Sequence, residues 1–471
     1  MAANSLRSEL GTLPLFAFGF GSIVGVAWVV LMGQLLAQAG LAGVLLGLTC
    51  GALMMLLVGV CYARVGTRFP LAGGEVAYAR QLYGETTANV VGWFLLLTCI
   101  LVCCFEMVSV GWITTQLWPA LAGTPLYSAL GNEIYPGTVL VSVALQALIV
   151  GANYLGTKRA GWLQAFTTGA KILLSVCFIL AGLRVARPQF SHPWFVGDAA
   201  GAILPGIISV VTIAPFWFSG FNAIAQTLGE RARNLSGAKA AGMIVVSLLA
   251  AWVFYCLVLI AMTLTMPRER LLSYPLPTAG AFQVAFGSPR VGNVVLLAGL
   301  LGLISTWNAL FFSATRILFA LAENGFVSSR FRALHPRFAT PTTAILLVGI
   351  AIPLGSLLGK GVIGPLLSAF SIVMAGIYAV VCYGVIILRR QNAAQPRLSA
   401  ADAVPCLALA ACAVIAGFAS LEPLKAWSSG RLPIEWVMLL AWTLCGAWLT
   451  RRLRHRRRHD ESNSKQKACG T

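Results

Sequence analysis

Long apolar segments separated by short polar turns run along the whole chain. Each segment holds about 20 apolar residues, which is enough for a helix to cross the hydrocarbon core of a bilayer. The pattern therefore predicts an all-α integral membrane protein with twelve transmembrane helices. The predicted spans are residues 12–37, 41–63, 86–116, 135–154, 162–183, 203–228, 238–265, 291–320, 340–358, 363–388, 403–420 and 433–450.

The composition supports this prediction. Of the 471 residues, 58% are hydrophobic and only 10% are charged, so the chain carries more apolar surface than a soluble domain normally does. The first apolar run is too long for a cleavable signal peptide and has no small-residue cleavage site. We therefore expect it to remain in the membrane as a span.

The net charge of +19 does not indicate nucleic-acid binding, because the positive residues lie mainly in alternate loops. If the N-terminus is cytoplasmic, most of the 33 Lys and Arg residues fall on the cytoplasmic side, in agreement with the positive-inside rule. We expect a multi-pass protein of the plasma (inner) membrane with both termini cytoplasmic. The basic run 451–458 is expected to contact anionic lipid.

Three glycines interrupt the first span, within the segment Gly19–Trp28. Each glycine weakens a helix by about 1 kcal/mol relative to alanine. Irregular backbone is tolerated at membrane depth only where it is buried in protein or lines a cavity. The segment therefore predicts either a binding site built from main-chain groups or close helix packing, which glycine also permits.

The sixth span contains a second disturbance. Pro215 removes a backbone donor and Gly220 loosens the helix, so we expect a break near mid-span. Interrupted helices at matching places in two halves of a chain are typical of secondary transporters built from inverted repeats. The two breaks together favour the binding-site interpretation.

The positions of the breaks suggest an organisation in two five-span halves. The first half starts inside and the second starts outside, so the halves would have inverted topology. The expected segments are a polar cytoplasmic lead at 1–11, the first repeat at 12–183, the second repeat at 203–388, two additional spans at 403–450 and a basic cytoplasmic tail at 451–471.

Two charged side chains are predicted to lie deep in the membrane, Glu106 in the third span and Lys171 in the fifth. Charges at such depth are costly and indicate function. Lys171 could exchange a proton, act as a fixed cation where other transporters bind sodium, or brace the first break. Glu106 could contact a cationic substrate, carry a proton, pair with Lys171 or form a structural hydrogen bond.

No catalytic constellation is present in the sequence. It has no P-loop, no histidine within a span and no paired carboxylates in one span, so we expect no enzyme, no ATP-driven pump, no cofactor and no metal. All cysteines except Cys469 lie in predicted spans without metal-ligand spacing. A structural protein or receptor is the non-transporter alternative. Measurement of substrate flux into vesicles would distinguish it from a transporter.

Five motifs, in order and at corresponding spans, resemble the amino acid–polyamine–organocation (APC) permease superfamily. The similarity covers most of the chain. The motifs are Gly21–Ala27, Arg68–Gly74, Asn153–Lys158 together with Lys171, Gly220–Ile224, and Ser313–Gly325.

The resemblance implies a five-plus-five inverted-repeat fold, alternating access and a substrate site at the two breaks. The substrate carboxylate would meet main-chain amides between Ser22 and Ala27, and the amine would meet carbonyls near Gly19–Ser22 and Phe216–Ser219. Phe216 matches a gating aromatic, with Trp217 beside it, and Lys171 matches the lysine of some proton-coupled relatives. The substrate-binding residues implied are Ser22, Ile23, Val24, Gly25, Ala27, Phe216, Ser219, Gly220 and Asn222.

Two departures from the family pattern affect this expectation. Asn222 stands where many relatives have Asp or Glu, so a proton-sensing carboxylate is absent there. Ala27 and Trp28 replace the common Gly-Ile-Phe ending, which changes the floor of the pocket, and Trp28 could instead pack in the core.

The function expected is a secondary transporter for amino acids, driven by protons, with obligatory exchange as the second mechanism. The alternative substrate is an organic amine such as a polyamine or ethanolamine. The expected partners are the small substrate, the coupling proton and the lipid bilayer; the sequence gives no oligomeric state.

Overall fold

The computed structural model describes residues 11–71, 73–121, 123–197, 200–228, 231, 234–391 and 402–469. The predicted lead before Gly11 therefore lies outside the described residues. So do the side chains of the basic run after Arg452 and residues 470–471 of the tail.

Nearly all of the described chain is helical. The helices are α1 (Thr12–Ile23), α2 (Ala27–Val30), α3 (Met32–Arg68), α4 (Gly74–Tyr83), α5 (Glu85–Leu117), α6 (Pro136–Tyr154), α7 (Thr157–Arg184), α8 (Ala200–Thr212), α9 (Ala214–Phe218), α10 (Asn222–Thr227), α11 (Gly237–Thr263), α12 (Arg268–Leu272), α13 (Pro277–Ala285), α14 (Pro289–Glu323), α15 (Thr342–Ser356), α16 (Ile363–Arg390), α17 (Ala403–Ala419), α18 (Leu421–Ser428) and α19 (Ile434–Cys469). Short 3₁₀ turns lie at Pro119–Leu121, Pro188–Ser191, Ser329–Arg332 and Gly359–Val362.

Many of these helices are built to cross a membrane. Within the described residues, eight helical stretches are long and apolar enough to do so, and shorter apolar helices lie at Gly19–Val30, Gly201–Thr212 and Thr342–Leu354. Large apolar side chains such as Leu140, Leu173 and Ile350 point away from the protein, with 65–69% of their surface exposed. Such an outer surface suits contact with lipid chains, so the chain is a multi-pass membrane protein.

The predicted all-α fold has one small exception. Strands β1 (Tyr127–Ala129) and β2 (Asn132–Ile134) form an antiparallel hairpin after α5. The connecting residues Leu130 and Gly131 both have positive φ, 48° and 74°, which is the backbone of a tight hairpin turn. We call this end of the bundle the hairpin end and the opposite one, where α4 lies, the α4 end.

The predicted turn between the first and second spans is present at Gly40. The helical hydrogen bonding of α3 runs across it, but Gly40 has φ 73° and ψ 174°. A Cβ at Gly40 would lie 2.7 Å from the Trp194 carbonyl oxygen. Both the positive φ and this close approach explain a glycine here.

Helix α5 lies at the centre of the bundle. In its apolar stretch 89% of the residues are buried, against 28% for α6 and 39% for α7. It packs against α14, α16, α6 and α15, while α3 packs against α11 and α8. Most side chains in this stretch of α5 are therefore shielded from lipid.

Glycines let α3 approach its neighbours closely. A Cβ at Gly47 would lie 2.5 Å from Val210 Cβ of α8, and one at Gly51 would lie 2.6 Å from Ala214 Cβ of α9. Small residues at such seams are the usual means of packing helices in a membrane.

We expect Gly47→Ala to lower the free energy of unfolding by about 1–3 kcal/mol, because the added methyl group overpacks the seam against Val210. Thermal unfolding of the purified protein measures this. Gly242→Ala on α11 is the matched control, since a Cβ there meets nothing within 4 Å. Equal melting temperatures for the two variants would contradict this account of the seam.

Candidate functional site

The first break lies between α1 and α2, at Val24–Val26. Gly25 is in this break, but Gly19 and Gly21 lie inside α1, contrary to the prediction that all three glycines interrupt the helix. A Cβ at Gly19 would overlap Ile224, and one at Gly21 would lie 2.7 Å from Thr168 Cγ2. The glycine-rich segment thus contains both alternatives, close packing at two glycines and an open backbone at the third.

The second break lies between α9 and α10, at Ser219–Phe221. Gly220 adopts φ 104° there, a conformation that glycine permits most readily. Its N–H donates to Asn222 Oδ1 at 3.1 Å, and Ser219 Oγ donates to the Phe216 carbonyl at 3.3 Å. Asn222 therefore stabilises the irregular turn through its side-chain oxygen.

Pro215 does not itself produce this break. It occupies the first turn of α9, where a missing N–H removes no helical hydrogen bond. The helix already turns at Ile213, with φ −98° and ψ 12°. The sixth span is consequently disturbed twice, once before α9 and once after it.

The two breaks pack directly against each other. A Cβ at Gly220 would lie 2.5 Å from the carbonyl carbon of Ser22 and 2.7 Å from the nitrogen of Ile23. The hydroxyl of Tyr255, on α11, lies 3.0 Å from the Ile23 carbonyl oxygen and 3.1 Å from that of Trp217. One side chain thus connects both broken helices.

Lys171 of α7 reaches the first break from one side. It is 1% exposed, and its Nζ donates to the carbonyls of Gly21, at 2.7 Å, and of Val24. In a continuous helix these carbonyls would accept the N–H groups four residues on. The break leaves them without those partners, and the ammonium group replaces the lost donors.

Main-chain donors remain available in the same break. Those of Val24 and Gly25 are already used within the turn, on Phe20 at 3.0 Å and Ile23 at 3.1 Å. Among the described residues, no backbone acceptor pairs with the N–H groups of Val26 and Ala27. Of the amides that the resemblance implies for a carboxylate, Ala27 remains available, and Val26 joins it.

Glu106 of α5 reaches the first break from another side. Its Oε1 would lie 3.2 Å from a Cβ at Gly25, and Thr306 Oγ1 of α14 would lie 3.0 Å from the same point. Oε2 is buried and has no hydrogen-bond partner among the described residues. No N···O distance within 4.0 Å joins Glu106 to Lys171, so a carboxyl group and an amine flank the break without pairing directly.

Aromatic rings surround the second break. Phe216, 8% exposed, packs edge-on against Phe105 at 4.8 Å and Phe370 at 5.6 Å between ring centroids. Trp217 is fully buried against Tyr255. Trp28 is buried against Phe254, at 6.0 Å between ring centroids, so it lies in the packed core.

Sequence analysis missed several polar groups near the breaks. Tyr255 connects the two broken helices, and Thr168 of α7 hydrogen-bonds Ser305 of α14 at 2.8 Å. Glu75 of α4 is completely buried, and it is not among the candidate residues named from the sequence. It shares the i, i+3, i+4 face with the buried Tyr78 and Ala79, and that spacing is the signal that could have identified it.

A cavity of about 270 Å³ lies away from the breaks, at the hairpin end. Its lining includes Met107, Trp112 and Ser142 from α5 and α6, with Glu133 and Lys360 from the connecting segments. Because neither broken helix lines this cavity, it does not change the choice of candidate site.

Residues 10–448 match the family model described as amino acid permease. The matched range contains both breaks, Glu106, Lys171 and α4.

Individual relatives are similar over comparable lengths. The branched-chain amino acid permease BcaP of Bacillus subtilis (strain 168) is 27% identical over 455 residues, covering 94% of this chain and 92% of that protein. A methylthioribose transporter of the same bacterium is 24% identical over 458 residues, covering 94% and 93%. Cationic amino acid transporter 4 of Mus musculus is 29% identical over 428 residues, covering 86% of this chain and 62% of that protein.

We expect Tyr255→Phe to lower the free energy of unfolding by about 1–3 kcal/mol, because it removes the hydroxyl donor that two buried carbonyls of the broken helices share. The melting temperature of the purified protein measures this. Tyr383→Phe on α16, where the side chain is 47% exposed, is the control. If both variants have the melting temperature of the wild type, the Tyr255 hydroxyl does not hold the breaks together.

Proposed function

This chain belongs to the amino acid permease family and is an amino acid permease; we propose that its substrate binds between the two breaks and that protons drive its uptake. The observation that carries the proposal is the Lys171 ammonium group on two carbonyls of the first break. The site contains a cation, a carboxyl group and free main-chain donors beside one another.

We further propose twelve spans, with the first and second five forming inverted repeats over residues 12–183 and 203–388 and two more spans within 403–450. The broken helices support this, because they open the two halves at matching places. Arginines at the ends of α3 and α16 lie at the α4 end. The positive-inside rule then makes the α4 end and both termini cytoplasmic, in a plasma membrane.

The substrate carboxylate would bind the free N–H groups of Val26 and Ala27. These groups begin the second half of the first span, and the positive end of a helix favours an anion. Because Lys171 already occupies the carbonyls of Gly21 and Val24, the substrate amine would meet carbonyls of the second break, in Phe216–Ser219. Phe216, with Trp217 beside it, would close over the bound molecule.

Lys171 would couple transport to protons. When charged, Lys171 donates to both carbonyls and braces the break. When neutral, it no longer offsets the partial negative charge of the two carbonyl oxygens. Loss or gain of its proton would therefore change how firmly the first break is held. The Glu106 carboxyl group faces the same break. Whether it is ionised or neutral would decide whether it supports or opposes the change at Lys171.

A cationic substrate without a carboxylate is the alternative. The buried Oε2 of Glu106 has no hydrogen-bond partner among the described residues and could receive an ammonium group. A polyamine or ethanolamine-like amine would then depend on Glu106 more than on the amides of Val26 and Ala27.

A matched pair of ligands separates these two substrate classes. We expect an amino acid to raise the melting temperature of the purified protein, and its decarboxylated amine to raise it much less. A ligand at 100 times its dissociation constant stabilises the folded state by about 2.7 kcal/mol, which a thermal-shift screen detects. Stabilisation by the amines alone would overturn the amino acid site, and labelled uptake into proteoliposomes would then identify the amine.

We expect Lys171→Gln to reduce proton-driven uptake roughly tenfold or more, because hydrogen bonds from a charged group contribute about 1.5–3 kcal/mol. The pH dependence of uptake should flatten at the same time. Uptake into proteoliposomes under an imposed pH gradient measures both quantities. Lys239→Gln, an exposed lysine at the start of α11, is the control.

Unchanged uptake and pH dependence in Lys171→Gln would remove the coupling role. In the wild type, an uncoupler should abolish accumulation. Transport that survives the uncoupler and requires substrate on the far side would instead establish exchange.

A further inference from the structure

Glu75 is a buried carboxyl group on α4, at the α4 end, and it does not belong to the first break that Lys171 and Glu106 flank. It is 0% exposed. The Tyr62 hydroxyl, on α3, donates to its Oε1 at 3.2 Å, and Gln226 Nε2, on α10, donates to its Oε2 at 3.4 Å. The Asn222 side chain, also on α10, lies beside the same carboxyl group.

The backbone preceding Glu75 packs against the same helix, α10. The N–H of Gly73 donates to the Gln226 carbonyl at 3.1 Å. A Cβ at Gly74 would lie 2.7 Å from Gln226 Cγ, and Gly74 has φ 50°. The start of α4 therefore holds α10, the six-residue helix that follows the second break.

The surroundings of the Glu75 carboxyl group are aromatic and uncharged. Tyr62 packs edge-on against Phe221 at 5.0 Å, Tyr378 at 5.8 Å and Tyr78 at 6.4 Å. The titratable groups that face Glu75 are Tyr62 of α3, Tyr78 of α4, Cys99 of α5, and Tyr378 of α16. In the described part of the chain, no Lys or Arg forms an ion pair with this carboxyl group.

We propose that Glu75 is a latch that holds α10 against α3 and α4 and thereby sets how readily the path at the α4 end opens. The inference rests on the proposed function, in which α10 borders the substrate path. Opening at this end requires α10 to move away from α4. That movement breaks two contacts together, the one between Glu75 and the Gln226 side chain and the one between the Gly73 amide and the Gln226 carbonyl. Glu75 is a positioning residue, since it acts on the path through α10.

The latch responds to pH. Burial raises the pKa of the Glu75 carboxyl group, and opening would admit water and return the pKa towards its ordinary range. The closed form therefore holds the proton more tightly, and opening releases it at the α4 end. A higher pH on that side favours the open form, and a lower pH favours the closed form.

Transport measured from each side of oriented proteoliposomes tests the latch. We expect Glu75→Ala to raise the apparent KM at the hairpin end about fivefold or more and to lower it at the α4 end, because the population shifts towards the α4-open form. Glu323→Ala is the control. Glu323 is an exposed carboxylate at the α4 end, where it is the last residue of α14. A variant that is merely less stable would lose maximal rate without opposite KM shifts.

Two further variants keep the inference falsifiable if Glu75→Ala does not fold. Gln226→Ala breaks the same contact from the α10 side and should shift both KM values in the same directions. If both single variants fold, the double variant should shift the KM values little further than either single variant does. Glu75→Gln retains the size and most hydrogen bonds of the side chain, so it should leave KM near the wild-type value. It should weaken the dependence of KM on pH at the α4 end and leave only the part that Lys171 contributes.

Unchanged KM values in all these variants, with normal amino acid transport by the wild type, would overturn the latch alone. No amino acid transport by the wild type would overturn the proposed function instead, so the two failures are distinguishable.

Discussion

A peptide group within a lipid bilayer must find a hydrogen-bond partner inside the protein, because no bulk water is available. This constraint governs the two broken helices of this chain. Each break frees carbonyl and N–H groups that a continuous helix would pair. Three side chains from outside or beside the breaks supply the missing partners: Lys171 at the first, Asn222 at the second, and Tyr255 between them. The N–H groups that remain free, at Val26 and Ala27, are the ones that the proposed function assigns to the substrate carboxylate.

The same constraint explains the positions of the charges. A buried ammonium group is tolerated where it is hydrogen-bonded, and Lys171 obtains two carbonyls from the first break. The break in turn obtains a hydrogen-bond donor, and in the proposed function the loss of one proton weakens that donor. Glu106 lies on α5, the most enclosed of the eight described spans, and its Oε1 would lie 3.2 Å from a Cβ at Gly25. In the proposed function, substrate, proton and backbone would therefore meet at one irregular turn, which coupling between them requires.

Much of this fold is readable in the sequence because lipid imposes simple rules. Apolar length predicted membrane-spanning helices, and Gly25 and Gly220 marked the two breaks. Other features depend on three-dimensional packing and carry no local signal. Gly19 and Gly21 look like part of the break, yet they serve helix contacts with Ile224 and Thr168. Tyr255 is an ordinary aromatic residue in an apolar helix until the fold places its hydroxyl between two breaks. Glu75 could be identified as buried only from its helical spacing with Tyr78, and its partner Gln226 lies 151 positions further along the chain.

The central claim is that a small zwitterion binds at the two irregular turns, with its carboxylate on the free amides of the first. An experimental structure of the protein, determined with a transported amino acid by electron cryomicroscopy, tests this most directly. The account predicts ligand density between residues 24–27 and 216–220, with the carboxylate within hydrogen-bond distance of the nitrogens of Val26 and Ala27. Continuous first and sixth helices, or ligand density confined to the cavity at the hairpin end, would contradict it.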